Sequence, residues 1–158
     1  AAAAAARLGK RASAEDVEAA VTRAALEHAS QVLLARQHVA LVSHAAVLCF
    51  RRGAVERGRT LFEGLVAAYP KRTDLWHVYA DQELAAGDVG AARRVLDRAT
   101  ALRLSATRLK ALFKKYLGLE QEHGDEARIK YVTQRAREAV ARLRGDAEEE
   151  GESESEED

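Results

Sequence analysis

Apolar residues recur along the chain at helical spacing, broken at a few points of turn chemistry. Val17, Ala20, Val21, Ala24 and Ala25 stand at spacings 0, 3, 4, 7 and 8, an apolar stripe that predicts a leading helix over about 15–28. Ser13 is its expected N-cap, with Glu15 and Asp16 in a first turn that favours acids. Residues 30–37 are compatible with a turn into the next helix. Val39, Val42, Ala46 and Phe50 predict that helix over about 37–52, stopped by Gly53. Leu61, Phe62, Leu65 and Val66 line the buried side of another over about 55–68, ended by Tyr69-Pro70. Proline offers no amide donor and disfavours helical geometry in the residue before it.

Thr73 is the expected N-cap of the next helix, where Trp76, Tyr79, Ala80, Glu83 and Leu84 again fall at 0, 3, 4, 7 and 8. Gly87-Asp88 pairs a left-handed stop with an acidic start. A helix over about 89–102 buries Ala92, Val95, Leu96 and Ala99. Ser105 caps a further one carrying Leu109, Leu112, Phe113, Tyr116, Leu117 and Glu120, and Gly124-Asp125 repeats the earlier turn chemistry. The last helix, about 126–143, presents Ile129, Val132, Ala136 and Val140, and Gly145 is expected to end the ordered part.

These elements repeat. Trp76, Tyr79, Glu83 and Gly87 are spaced 0, +3, +7 and +11, and Phe113, Tyr116, Glu120 and Gly124 reproduce both spacing and residue type. Gly53 to Gly87 is 34 residues and Gly87 to Gly124 is 37, periods of a helical-hairpin solenoid. The second helices agree: residues 92–99, ARRVLDRA, match 58–65, GRTLFEGL, and more loosely 129–136. Each such hairpin leaves an apolar face that only a neighbour covers. The expected fold is therefore all-α, antiparallel helical-hairpin repeats at about 37–68, 73–102 and 105–143 behind the leading helix, within a domain spanning 13–145. In the first hairpin the positions of Trp76, Tyr79 and Glu83 are taken by Val42, Ala45 and Cys49, so the pattern is weakest there.

Composition agrees with an all-helical chain: 5% aromatic residues and one proline, with alanine and leucine dominant. Charge adds a division. Residues 146–158 hold nine acids and no base, so the 25 bases of residues 1–145 face only 16 acids, a net +9. The tail is expected to be disordered, having too little apolar surface to offset its ordering entropy. Within it, Ser153 and Ser155 each precede an acid by three residues, a context suited to acidophilic kinases. Residues 1–12, opening with six alanines, read as a low-complexity or placeholder segment without the leucine-rich core of a secretory signal. No apolar run approaches the roughly 18 residues of a membrane span. The single Cys49 makes no internal disulfide and fits a reducing compartment.

Candidate chemistry is sparse. Glu83 and Glu120 resemble a carboxylate pair, but both hold one repeat position inside a helix, where bonding to a neighbouring helix or backbone group explains them. The five histidines share no metal-ligand spacing, and His123 suits the C-terminal end of a helix dipole. Cys49 lies in an apolar stripe without a neighbouring base. Gly53, Gly58 and Gly64 lack the Lys-Ser/Thr and the preceding strand of a phosphate loop. No catalytic, metal or cofactor residue is expected, nor a small-molecule substrate.

The aromatic, aromatic, glutamate and glycine of one helix, followed by Ala-Arg-x-Val-Leu-Asp-Arg-Ala in the next, resembles the half-a-tetratricopeptide repeat, a module of RNA-processing assemblies. Residues 56–83, ERGRTLFEGLVAAYPKRTDLWHVYADQE, and 112–126, LFKKYLGLEQEHGDE, are more closely similar to the C-terminal repeat region of the ribosomal RNA processing protein 5 family. Those are large nucleolar factors with tandem RNA-binding barrels ahead of their repeats. The resemblance covers about residues 37–140 and includes none of the barrels. It implies a non-enzymatic scaffold in the nucleus and nucleolus, acting in precursor-rRNA processing and in assembly of early small-subunit processome particles. Its partners would be pre-ribosomal assembly proteins and precursor rRNA, with no membrane. The alternative is a half-a-tetratricopeptide scaffold of an mRNA splicing or 3′-end processing complex. Candidate partner or RNA contacts are Arg57, Arg59, Lys71, Arg72, Arg93, Arg94, Lys110, Lys114 and Lys115. Trp76, Tyr79, Glu83, Gly87, Phe113, Tyr116, Glu120 and Gly124 are expected in the repeat core.

Overall fold

The computed structural model describes residues 14–32 and 35–155. Those residues form seven helices and no strand: α1 (Ala14–Val32), α2 (Ala35–Arg51), α3 (Val55–Ala68), α4 (Thr73–Ala85), α5 (Val89–Thr100), α6 (Ala106–His123) and α7 (Glu126–Ser155). The pairs α2/α3, α4/α5 and α6/α7 pack most extensively, each as an antiparallel hairpin. The first helix of each later hairpin packs against both helices of the hairpin before it, α4 on α2 and α3, α6 on α4 and α5. This is the solenoid arrangement predicted by the 34- and 37-residue periods.

Aromatic rings fill the layer between the first two hairpins. Phe62 is fully buried, stacks on Tyr79 with centroids 5.0 Å apart and meets Phe50 at 6.1 Å. Gly58 admits this packing, because a Cβ there would come within 2.7 Å of Phe50 Cε2. Trp76 is 3% exposed, and its indole N–H donates to the Pro70 carbonyl at 2.9 Å, so the turn that ends α3 also satisfies the buried ring. Gly87 adopts φ +83°, and Asp88 caps α5 by accepting from the Ala91 amide at 2.7 Å.

Several expectations need correction. The N-cap Ser13 and residues 1–12 lie outside the described residues. The leading helix extends to Val32 rather than to about 28 and turns a different side inward. Val17 and Val21 are 52% and 64% exposed, whereas Leu26 packs against the core. Leu26 offers more apolar area than the alanines of the anticipated stripe, and Glu18 on the same helix pairs with Arg52. Thr73 is the first helical residue of α4, with Arg72 at the cap position. Ser105 occupies the cap of α6 without a side-chain bond. Gly124 is extended at φ −106°, not left-handed. Glycine is needed there for room, since a Cβ would come within 2.7 Å of the Glu120 carbonyl oxygen. Helix α7 continues through Gly145 to Ser155. A single helical glycine costs only about 1 kcal/mol, and the glutamates that follow are good helix formers.

Candidate functional site

A polar clasp is built twice, once at each junction between hairpins. Arg59 on α3 reaches Glu83 on α4 with two bonds, Nε to Oε1 at 2.8 Å and Nη2 to Oε2 at 2.7 Å. Arg93 on α5 reaches Glu120 on α6 in the same way, with both bonds at 2.8 Å. Arg59 and Arg93 are separated by the 34-residue period, Glu83 and Glu120 by the 37-residue one. One helical turn further along each helix, in opposite directions, a second contact closes the junction. Tyr79 donates its hydroxyl to Glu63 at 3.0 Å, and Tyr116 donates to Asp97 at 3.1 Å. A third helix then joins: Arg98 on α5 binds both oxygens of Glu63 at 2.7 and 2.8 Å, and Arg135 on α7 binds Asp97.

Glu83 and Glu120 are 1% and 0% exposed, and the fork of a guanidinium gives each buried carboxylate a pair of hydrogen bonds inside the stack. The same bonds raise the pKa of Arg59 through Glu83 and that of Arg93 through Glu120. Glu63 is held below the usual carboxylate range, first by its bonds from Arg98 and then by the Tyr79 hydroxyl. Burial raises both tyrosine phenols, and the acid each donates to raises them further. Asp88 adds a second acceptor to Arg59 at 2.9 Å, and the His123 carbonyl adds one to Arg93 at 3.2 Å. Arg93 thus satisfies the end of α6, the role the dipole argument considered for His123. Among the described residues, no fully buried side-chain nitrogen or oxygen lacks a partner.

This arrangement divides the candidate contact residues. Arg59 and Arg93 belong to the clasps and face the interior. Arg72 pairs with Asp74, and Lys115 pairs with Asp81. Arg57 is partly buried beside Cys49 and Glu18 in a small cleft of about 190 Å³ between α1 and the first hairpin, while Lys71 and Arg94 are exposed and separate from it. Lys110 and Lys114 come together on the exposed side of α6, at the edge of a groove of about 660 Å³ between α6 and α7. Leu109, Phe113, Leu117, Ala136, Val140 and Leu143 form its apolar wall. Residue-by-residue reading of the sequence missed Glu63, Asp97, Arg98 and Arg135, although their recurrence at 34 and 37 residues was a signal for them.

Of the residues expected in the repeat core, Trp76, Tyr79, Glu83, Phe113, Tyr116 and Glu120 are buried, whereas Gly87 and Gly124 are exposed at the turns. Glu83 and Glu120 stand in separate junctions, each with its own arginine, so the two carboxylates form no shared acid pair. Among the described residues no cluster of three His, Cys, Asp or Glu side chains is placed to hold a metal, and no helix is long and apolar enough to cross a membrane.

No protein-family model matches the chain. Individual relatives do. Over 124 residues, 78% of this chain, it is 44% identical to the rRNA biogenesis protein RRP5 of Arabidopsis thaliana. It is 43% identical over 116 residues to the rrp5 protein of Schizosaccharomyces pombe and 37% identical over 123 residues to the RRP5 homologue of Mus musculus, covering 73% and 78% of this chain. The chain belongs to the RRP5 family. It spans only 6 to 7% of the length of these RRP5 proteins, so it corresponds to one helical-repeat portion of them. The plant and yeast relatives are named rRNA biogenesis proteins, in line with the ribosomal alternative rather than the mRNA one.

Proposed function

We propose that this stack of hairpins is a scaffold for ribosome biogenesis, holding partners during precursor-rRNA processing and assembly of early small-subunit processome particles in the nucleolus. The observation that carries the reading is the identity, 43 to 44% over about three quarters of the chain, to proteins of a plant and a yeast named for rRNA biogenesis. The interior supports a binding role rather than catalysis: the two most buried carboxylates are each committed to an arginine that closes a hairpin junction. Pre-ribosomal proteins are the principal partners in this reading, and precursor rRNA is within reach of the excess basic charge of residues 1–145. Phosphate contact requires clustered cations, and Lys110 with Lys114 is the cluster that remains exposed and uncommitted on α6.

Affinity purification of the full-length protein, with and without residues 37–145, tests the proposal. Precursor rRNA and early pre-ribosomal particles are expected with the intact protein and depleted on deletion. Recovery of splicing or mRNA 3′-end factors instead, or particles unchanged by the deletion, would overturn it.

A further inference from the structure

The groove between α6 and α7 corresponds in the repeat to the place where α6 itself packs on the preceding hairpin. Helix α6 rests on both α4 and α5 and brings Lys115 to Asp81. Ala80 and Ala99 are completely buried in that middle hairpin, while their counterparts 37 residues on, Leu117 and Ala136, are partly open and line the groove. Phe113, the counterpart of Trp76, forms part of the same wall. The apolar half of a helix seat is therefore present on the last described hairpin.

The polar half is not. Lys130 and Gln134 stand where Arg93 and Asp97 stand one period earlier. Both are engaged along α7 itself, Lys130 with Glu126 at 2.7 Å and Gln134 with Glu138 at 2.9 Å. A further hairpin of the same kind would bring a tyrosine and a glutamate to this face and find neither the arginine fork nor the acid that hold the inner junctions. The rim supplies positive charge instead. Lys110 and Lys114 flank the groove on α6, and Arg137 and Arg144 border its continuation along α7. All four are exposed.

We propose that the α6/α7 groove docks an amphipathic helix of a partner protein, with apolar residues on one face and acidic residues flanking them, seated on α6 and α7 as α6 is seated on α4 and α5. Charge complementarity selects this occupant. A second copy of the groove would bring basic rim against basic rim, and the chain's own acidic end, DAEEEGESESEED, has only one alanine to offer an apolar wall. The mode matches helix-in-groove recognition, in which residues at i, i+3, i+4 and i+7 anchor the bound helix. This inference deepens the scaffold reading by assigning it a docking surface. It is tested on the purified chain, so its failure is separate from that of the cellular role.

The probes are three fluorescein-labelled helical peptides of about 18 residues, long enough to form on binding. One has a leucine stripe flanked by glutamates, one the same stripe flanked by lysines, and one the glutamates without the stripe. Fluorescence anisotropy is expected to show the first binding at least about tenfold more tightly than either control. Val140→Asp, at a residue 49% exposed and so compatible with the fold, should weaken it by a similar factor. Lys110→Glu with Lys114→Glu should shift preference to the lysine-flanked probe. Absence of binding, equal binding of the acidic and basic probes, or indifference to Val140→Asp would overturn the proposal. So would a single-stranded RNA oligonucleotide that needs Lys110 and Lys114 while the acidic helix does not bind.

Discussion

The junction between α5 and α6 and the open groove beside α7 are made from corresponding repeat positions, yet one is closed and the other is not. At the closed junction Arg93 and Asp97 reach across to Glu120 and Tyr116. At the open groove Lys130 and Gln134 bond along their own helix, to Glu126 and Glu138. The apolar floor persists in both. A stack of hairpins is thus continued by the combination of apolar face and cross-helix clasp, and it presents a surface where the face remains and the clasp is gone. Arginines at clasp positions are internal parts, whereas lysines beside the unclasped face are free for other partners.

The sharpest way to break this comparison is to remove a ring from each side of it. Trp76→Ala is expected to destabilise the chain by about 3 to 5 kcal/mol, because the indole is buried in the closed part and lies beneath the Arg98 guanidinium. Phe113→Ala, whose ring borders the open groove, is expected to lose less, and urea denaturation of the two variants measures the difference. A loss under about 1 kcal/mol for Trp76→Ala would place the ring outside the load it is assigned here.

Charge removal sharpens the same contrast. Arg93→Ala strands a carboxylate with no exposure and is expected to cost about 3 kcal/mol, whereas Glu120→Ala leaves an arginine that can reach water and should cost less. Lys130→Ala, at the corresponding place on α7, should change stability by under about 0.5 kcal/mol. Thermal melts of the three variants would rank them in that order.

The smallest effect is the pH dependence of the clasps. Glu63 has its pKa lowered in the folded chain from an ordinary 4.5, so its contribution is fully present above that value and is lost as pH falls through the lowered one. Stability should therefore decline on the acid side of pH 4.5, and Glu63→Gln should flatten that limb of the curve. An unchanged limb in the variant would separate Glu63 from the acid response.

Much of this architecture is visible in the residue pattern. The helices follow from apolar spacing, and the hairpin stacking follows from two periods shared by Trp76 to Gly87 and Phe113 to Gly124. What single-residue reading does not supply is the pairing of helices across a junction. Arg59 and Arg93 look like surface cations in a basic chain until α3 is set beside α4 and α5 beside α6. Their recurrence with Glu63 and Asp97 at 34 residues is present in the sequence, but only the fold shows which acid each arginine meets. The rotation of α1 was similarly hidden, because the valines and alanines at helical spacing marked one face while Leu26, on another, is the residue that packs against the core. Gly124 shows the converse: the residue was right for the site, for reasons of space beside Glu120 rather than of left-handed backbone.

A double-mutant cycle on Arg93 and Glu120 tests the central claim most directly, that these clasps close the hairpin stack. If the pair acts as the geometry indicates, the double alanine variant will be more stable than the sum of the single losses predicts, with a coupling of at least about 1.5 kcal/mol. A coupling under about 0.5 kcal/mol would contradict the claim and return Arg93 to the surface cations available for partners.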